Sequence, residues 1–278
     1  MAGTLYVVAT PIGNLADLTF RAVEVLRAVQ WIACEDTRQT RKLLARYGIQ
    51  ARTISYHEHN EAERSQELLS HLEQGESVAL VSDAGTPLVS DPGFRIVRQA
   101  AEAGIRIIPV PGPSAVMAAL SAAGLETDSF YFGGFLPRRQ GERRRLLKEL
   151  SRLEATLVFY EAPHRILETL DDVASVLGER PVVVARELTK IHEEFLRGTP
   201  AEVRQQLQQR GSVRGEITLL IGKGCPPQSS GGASEEKVLE ELQRLEHKGL
   251  SRMQAIKEIA RQLRLPKRDV YRLAGFKN

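Results

Sequence analysis

Several short stretches gather side chains able to do chemistry, and most of them directly follow a run of β-forming residues. The longest is Val81-Ser82-Asp83-Ala84-Gly85-Thr86-Pro87-Leu88-Val89-Ser90-Asp91-Pro92-Gly93, after the apolar run 77–81. Two carboxylates there can accept hydrogen bonds or move protons. Glycine lets the backbone approach a ligand closely, and proline fixes a turn while removing a donor. The competing structural role is a tight strand-to-helix turn with Asp91 as a helix cap. Length and composition favour function, because sites concentrate on loops held by a rigid scaffold.

Cys34-Glu35-Asp36-Thr37-Arg38 sets two carboxylates and an arginine after another apolar run; Asp36 or Thr37 would serve equally as a helix cap with Arg38 solvated. Ser55-Tyr56-His57-Glu58-His59-Asn60-Glu61 holds two of the six histidines. Spacing i, i+2 suits metal ligation only with a further ligand, and none is evident, so a polar loop is the plainer reading. In Phe159-Tyr160-Glu161-Ala162-Pro163-His164-Arg165, Glu161 leaves an apolar run, where a carboxyl can be perturbed as catalytic groups often are; His164 and Arg165 fit a solvated first helical turn. Arg138, Arg139, Arg143, Arg144 and Arg145 crowd five arginines into eight positions. Such a run is ordinarily a solvated helix face, yet the guanidinium fork also suits phosphate.

These groups need elements to hold them. β-rich runs at 4–9, 31–34, 52–56, 77–81 and 106–110 alternate with helical patterns at 18–29, 37–47, 61–74 and 94–103, which predicts a mostly parallel sheet covered on both faces. Asn60 is placed to cap the third helix. Pro111-Gly112-Pro113-Ser114 breaks the chain, and Ser114 can cap a helix over 115–123. Strands at 130–132, 156–160 and 181–185 alternate with helices at 141–153 and 163–177. Strands at 191–197 and 215–221 then flank one short helix that opens with the capping box Thr199-Pro200-Ala201-Glu202, so this second sheet is predicted to be mixed. The expected organisation is an α/β domain over 1–111, a second α/β domain over 112–224, a linker over 225–234 and a basic, helix-turn-helix-like tail over 235–278.

Composition narrows the function classes. With 42% hydrophobic and 26% charged residues this is an ordinary globular chain, and no stretch approaches the roughly 20 apolar residues of a membrane span. A strand-like run begins at once, so no signal peptide is expected, and Cys34 and Cys225 alone make no disulfide framework or metal site. A cytoplasmic protein without metal is the expectation. The first loop, Ala9 to Asn14, carries only Gly13, which argues against a Rossmann dinucleotide site, and there is no P-loop. Residues 248–278 hold nine Lys/Arg against Glu258 and Asp269, a net +7 that leaves −4 for the rest. A basic segment on a mildly acidic body suits a polyanionic partner, although a helical pair also serves packing or dimerisation.

Taken together, residues 5–15, 34–38, 55–61, 81–93, 110–115 and 160–165 resemble, in the same order, the tetrapyrrole-methylase superfamily, and within it the branch that methylates a cytidine 2′-oxygen of small-subunit ribosomal RNA. The resemblance implies two α/β domains with S-adenosylmethionine in the cleft between them. It places Pro11, Ile12, Gly13, Ala84, Gly85, Thr86, Pro87, Ser114, Ala115, Phe159, Tyr160, Ala185 and Arg186 around the cofactor. Tetrapyrrole-modifying relatives usually have a more glycine-rich first loop and an acidic residue at the position of Thr86. The implied reaction needs a general base or strong positioning, with Glu35, Asp83, Asp91, Glu161 and His57 as candidates. Arg138, Arg139, Arg143, Arg144, Arg145, Lys267, Arg268 and Arg272 would hold RNA of the small ribosomal subunit, and the resemblance also implies a homodimer. A small-molecule methyltransferase of the same fold would use the cleft but not the basic tail; a non-enzymatic nucleic-acid regulator would use the tail but not the polar strand ends.

Overall fold

The computed structural model describes residues 2–224, 235–247, 249–262 and 270–271. They fall into two compact units, Met1–Gly224 and Cys225–Asn278. In the first unit β1 (Thr4–Val8), β2 (Trp31–Cys34), β3 (Arg52–Ser55), β4 (Val78–Val81) and β5 (Arg106–Val110) form a parallel sheet in the order β3-β2-β4-β1-β5. Strand β4 is central because all four of its residues are apolar and need cover on both faces. Its side chains alternate: Ala79 and Val81 join the core beneath α1 (Phe20–Ala28) and α2 (Thr37–Arg46), while Val78 and Leu80 join the core beneath α3 (Glu61–Glu73) and α4 (Phe94–Glu102). Leu68 and Leu72, one turn apart on α3, are fully buried there; truncating either to Ala would cost about 2–5 kcal/mol.

The register pairs Val8 and Cys34 with Val81, and Val8 with Val110, so β1, β2, β4 and β5 end level. Their following loops therefore leave from one edge of the sheet, where α/β proteins bind ligands. Asn60 precedes α3 without capping it: its side chain accepts from the His57 N–H at 2.8 Å and donates to the Ser55 carbonyl at 3.0 Å. The residue stabilises the histidine loop instead.

The second sheet comprises β6 (Phe130–Phe135), β7 (Thr156–Glu161), β8 (Val182–Arg186), β9 (Glu194–Gly198) and β10 (Ile217–Ile221), in the order β6-β7-β10-β8-β9. Strand β6 runs parallel to β7, and β10 runs antiparallel to both β7 and β8. The sheet is thus mixed. One face carries α6 (Gln140–Leu150), α7 (Ile166–Leu177) and α8 (Pro200–Gln208). The other takes α5 (Ala115–Ala123), whose Ala119 and Ala123 allow close approach to Val183, Ala185 and Leu220. Ser114 caps α5 by accepting from the Met117 N–H at 3.4 Å. Strand β9 starts three residues later than its pattern suggested because residues 187–193 turn sharply, with Glu187 and Thr189 at positive φ of 51° and 66°.

In the second unit, α9 (Glu235–His247) and α10 (Arg252–Gln262) bury Val238, Leu242 and Leu245 against Ala255, Ile256 and Ile259. Ser251 and Gln254 pair as the start of α10, hydroxyl to amide oxygen at 2.7 Å. The expected linker at 225–234, and Lys267, Arg268 and Arg272 of the expected basic helix, lie outside the described residues. Among the described residues no helix is long and apolar enough to cross a membrane.

Candidate active site

Backbone hydrogen bonds tie the first loop to the long loop after β4. Thr10 donates to the Gly85 carbonyl at 2.9 Å, and Gly85 returns a bond to Thr10 at 3.0 Å. The Thr10 hydroxyl donates to the Ser82 carbonyl at 2.9 Å, and the Thr86 hydroxyl donates to the Pro113 carbonyl at 3.2 Å. Three loops are thereby fixed before any ligand arrives. Gly85 holds φ at +83°, which a side chain would strain. Leu88 and Ser90 hold left-handed φ of 72° and 68° without that freedom. Such residues cost of order 1–3 kcal/mol and cluster at functional sites.

These loops wall one side of a cavity of about 410 Å³, a size suited to a small ligand. Ile12, Ala84, Gly85, Thr86, Val89, Ser90, Asp91, Ser114 and Ala115 line that side; Phe135, Tyr160, Glu161, Ala162, Pro163, Leu188 and residues 215–218 line the other. The interior combines apolar wall from Ile12, Val89, Leu188 and Ile217, backbone at Gly85 and Gly215, and the carboxylate of Asp91. That donor set fits a nucleoside bearing a positive charge.

Of the residues expected around a cofactor, Ile12, Ala84, Gly85, Thr86, Ser114, Ala115 and Tyr160 line the cavity. Pro11, Gly13, Pro87, Phe159, Ala185 and Arg186 stand outside that lining for identifiable reasons in three cases. Phe159 alternates to the far face of the second sheet and packs with Tyr131. Gly13 lies under Thr189 and Lys190. Arg186 is drawn away by Glu194 at 2.6 Å and the Arg214 carbonyl at 2.8 Å.

Among the candidate bases, Asp91 and Glu161 reach the cavity. Burial pushes the Asp91 carboxyl above the usual range; a hydrogen bond from Ser82 opposes this and the charge of Asp83 adds to it. Burial likewise raises Glu35, with Asp83, Asp91 and Glu58 adding to the rise and His57 opposing it. Glu35, Asp83, Asp91 and His57 therefore share one electrostatic neighbourhood beside the cavity. Burial raises the Tyr160 hydroxyl, and Asp91 raises it further. Glu161, fully buried, has its oxygens occupied: it accepts from the Ala162 N–H at 2.7 Å, the Arg165 Nε at 2.9 Å and the Thr169 hydroxyl at 2.7 Å. This network fixes the chain after β7 and delays α7 until Ile166. Asp36 caps α2, accepting from the Arg38 N–H at 2.8 Å, and pairs with the exposed Arg38 guanidinium at 2.9 Å.

The arginine run divides. Arg138, Arg139 and Arg145 are exposed, whereas Arg143 is 1% exposed and ion-paired at 2.6 Å with the fully buried Asp172. Arg143 is thus withdrawn from any polyanion: its place on the inner side of α6 forces burial, and Asp172 on α7 compensates the charge. Arg144 binds the other Asp172 oxygen at 2.6 Å.

Sequence reasoning missed Leu188, Phe135 and residues 215–218. Residues 215–218 are not at the carboxyl end of a strand: β10 is antiparallel and brings its amino end to the cavity, with Ile217 opposite both Glu161 and Arg186. The Gly215 backbone, at φ +90°, was the available signal.

A parallel sheet with its ligand edge facing a mixed sheet, bridged by an Ala-rich helix, defines the class: residues 4–204 match the family of Tetrapyrrole (Corrin/Porphyrin) Methylases, and the chain belongs to it. Within that class it belongs with the proteins named ribosomal RNA small subunit methyltransferase I. It is 49% identical to the one from Synechocystis sp. over 98% of this chain and 97% of that protein. It is 46% identical to the one from Halalkalibacterium halodurans, over 98% and 94%. The structure of uroporphyrin-III C-methyl transferase from Thermus thermophilus complexed with S-adenyl homocysteine shares the fold at a TM-score of 0.55 and 20% identity, covering 79% of this chain and 97% of that one.

Proposed function

We propose that this chain methylates the 2′-oxygen of a cytidine ribose in small-subunit ribosomal RNA, using S-adenosylmethionine. The observation that carries the reading is the near-full-length identity to ribosomal RNA small subunit methyltransferase I, combined with a preformed cavity whose donors fit the cofactor. Ile12, Gly85, Thr86, Ser114, Leu188 and Ile217 would hold it. When bound, S-adenosylmethionine supplies a methyl group activated by a sulfonium.

The chain's own task is to position the ribose and take its proton, since a hydroxyl is a poor nucleophile until deprotonated. Asp91 is the base this geometry favours: it lines the cavity, and Glu161, which also lines it, is already committed to Arg165 and Thr169. An Asp91 Oδ would accept the 2′-hydroxyl proton, leaving the ribose oxygen free to take the methyl group that the sulfonium gives up on becoming a thioether. Its raised pKa makes it a stronger acceptor than an ordinary aspartate. Arg138 and Arg139, with the C-terminal unit, contact phosphates, and the small ribosomal subunit and a homodimeric state belong to the same proposal.

The test is methyl transfer from labelled S-adenosylmethionine to unmethylated small subunits, with nuclease mapping of the labelled nucleotide. Label on a single 2′-O-methylcytidine is expected. Absence of label on RNA, with cofactor still bound, would redirect the search to small-molecule acceptors. Sedimentation showing only monomer would remove the homodimer.

A further inference from the structure

Strand β6 departs from regular pairing at one place. Phe132 pairs with Val158 and Phe135 with Tyr160, so three steps on β6 oppose two on β7. A β-bulge of this kind re-aims a side chain and is common beside active sites. Regular alternation would turn Phe135 to the face of Tyr131, which packs under the outer helices. The extra residue turns it instead to the face of Phe132, so that both rings meet Tyr160 edge-on, with centroids 5.0 and 5.5 Å away. Two glycines make the bulge possible. A Cβ on Gly133 would lie 2.5 Å from the Phe159 ring, and Gly134 holds φ at +63° where β6 meets Ser90 of the long loop.

The result is a ring that lines the cavity yet remains 60% exposed. Exposed Arg138 and Arg139 follow three and four residues later. Buried Arg143 holds that connection in place, donating to the Pro137 and Arg138 carbonyls at 3.4 and 3.3 Å. An aromatic face with adjacent guanidinium groups is the pattern that binds unpaired RNA, the base stacking on the ring and the phosphates meeting arginine. A ribose that enters a cavity of this size must leave its neighbours in the strand, and the lost base stacking needs replacement.

We infer that Phe135 is a stacking platform for a base of the substrate RNA at the cavity mouth, the target base or its immediate neighbour. The inference rests on the proposed RNA reading and adds a positioning residue to it.

Steady-state methylation of unmethylated small subunits by the full-length protein, with Phe135→Ala, Phe135→Leu and Phe135→Trp variants, tests it. Cofactor affinity is measured separately by equilibrium dialysis. Ala and Leu are expected to raise KM for the subunit by about tenfold, with cofactor Kd unchanged, and Trp to restore KM. An unchanged KM in the Ala variant overturns the inference, as does a Leu variant equal to Trp, which would mean that apolar bulk alone suffices. Parallel loss of cofactor binding also overturns it, assigning the ring to the cofactor. A wild-type protein that binds cofactor but labels no RNA overturns the function and this inference together, whereas a methylating wild type with an indifferent Phe135 overturns the inference alone.

Discussion

At the scale of single residues the site rests on charges held where they are disfavoured. Asp91 is raised by burial and by Asp83, which means that folding disfavours its ionised form. The favourable contribution of the protonated group is complete below the ordinary value of 3.8 and is lost as pH rises through the higher folded-state value. Asp91→Asn is therefore expected to melt about 2 °C higher than the wild type at neutral pH, with the two curves converging in acid. The same variant should lose methyl transfer by about 10²–10⁴-fold if Asp91 is the base. A wild-type pH–rate profile would then show an acidic limb above the usual aspartate range, and Asp91→Asn would lack it. The buried carboxylate of Glu161 is fully paired, so Arg165→Ala, which strands that charge, should cost about 3–5 kcal/mol in urea unfolding. A stability loss confined to a few tenths would show that solvent reaches the pair.

At the scale of elements, α6 and α7 are joined by an ion pair and hydrogen bonds rather than by apolar packing alone. Asp172 accepts from Arg143 Nε at 2.6 Å, Arg144 Nε at 2.6 Å and Gln140 Nε2 at 3.2 Å. Truncating Asp172 to Ala should destabilise the first unit by about 3–5 kcal/mol, whereas Arg139→Ala should leave thermal stability unchanged and weaken RNA binding, lowering the salt slope by about 1. Equal stability losses in the two variants would contradict this division. The division also marks where the sequence stopped being legible. Five arginines in eight positions look alike as letters, and only helical phase against α7 separates buried Arg143 from exposed Arg145. Elements and sheet classes could be read because apolar runs, Gly and Pro breaks and the Thr199 capping box all agree with the folded state. The lining from residues 215–218 could not, since it depends on the antiparallel entry of β10, nor could Leu188, which sits in the sharp turn after β8. The bulge that turns Phe135 was likewise hidden behind an ordinary-looking Gly133-Gly134 pair.

At the scale of the whole molecule, there are two compact units. Residues 1–224 contain both sheets and, among the described residues, every residue that lines the cavity. The second unit has its own core, in which Val238, Leu242, Ile256 and Ile259 are buried. Nine of the basic residues fall at 248–278, against only Glu258 and Asp269. Phosphate contacts release counterions, so each contact contributes about 0.7–0.9 to the slope of log affinity against log salt. Deleting 225–278 is therefore expected to leave cofactor affinity unchanged, to weaken binding to small subunits, and to make the remaining binding less salt-dependent. Measuring that affinity at several salt concentrations separates two roles for the second unit. A parallel drop with an unchanged slope would mean that it supports the first unit or an oligomer. A shallower slope would mean that its Lys and Arg residues meet RNA, with the cavity and the Phe135 platform left to select the nucleotide.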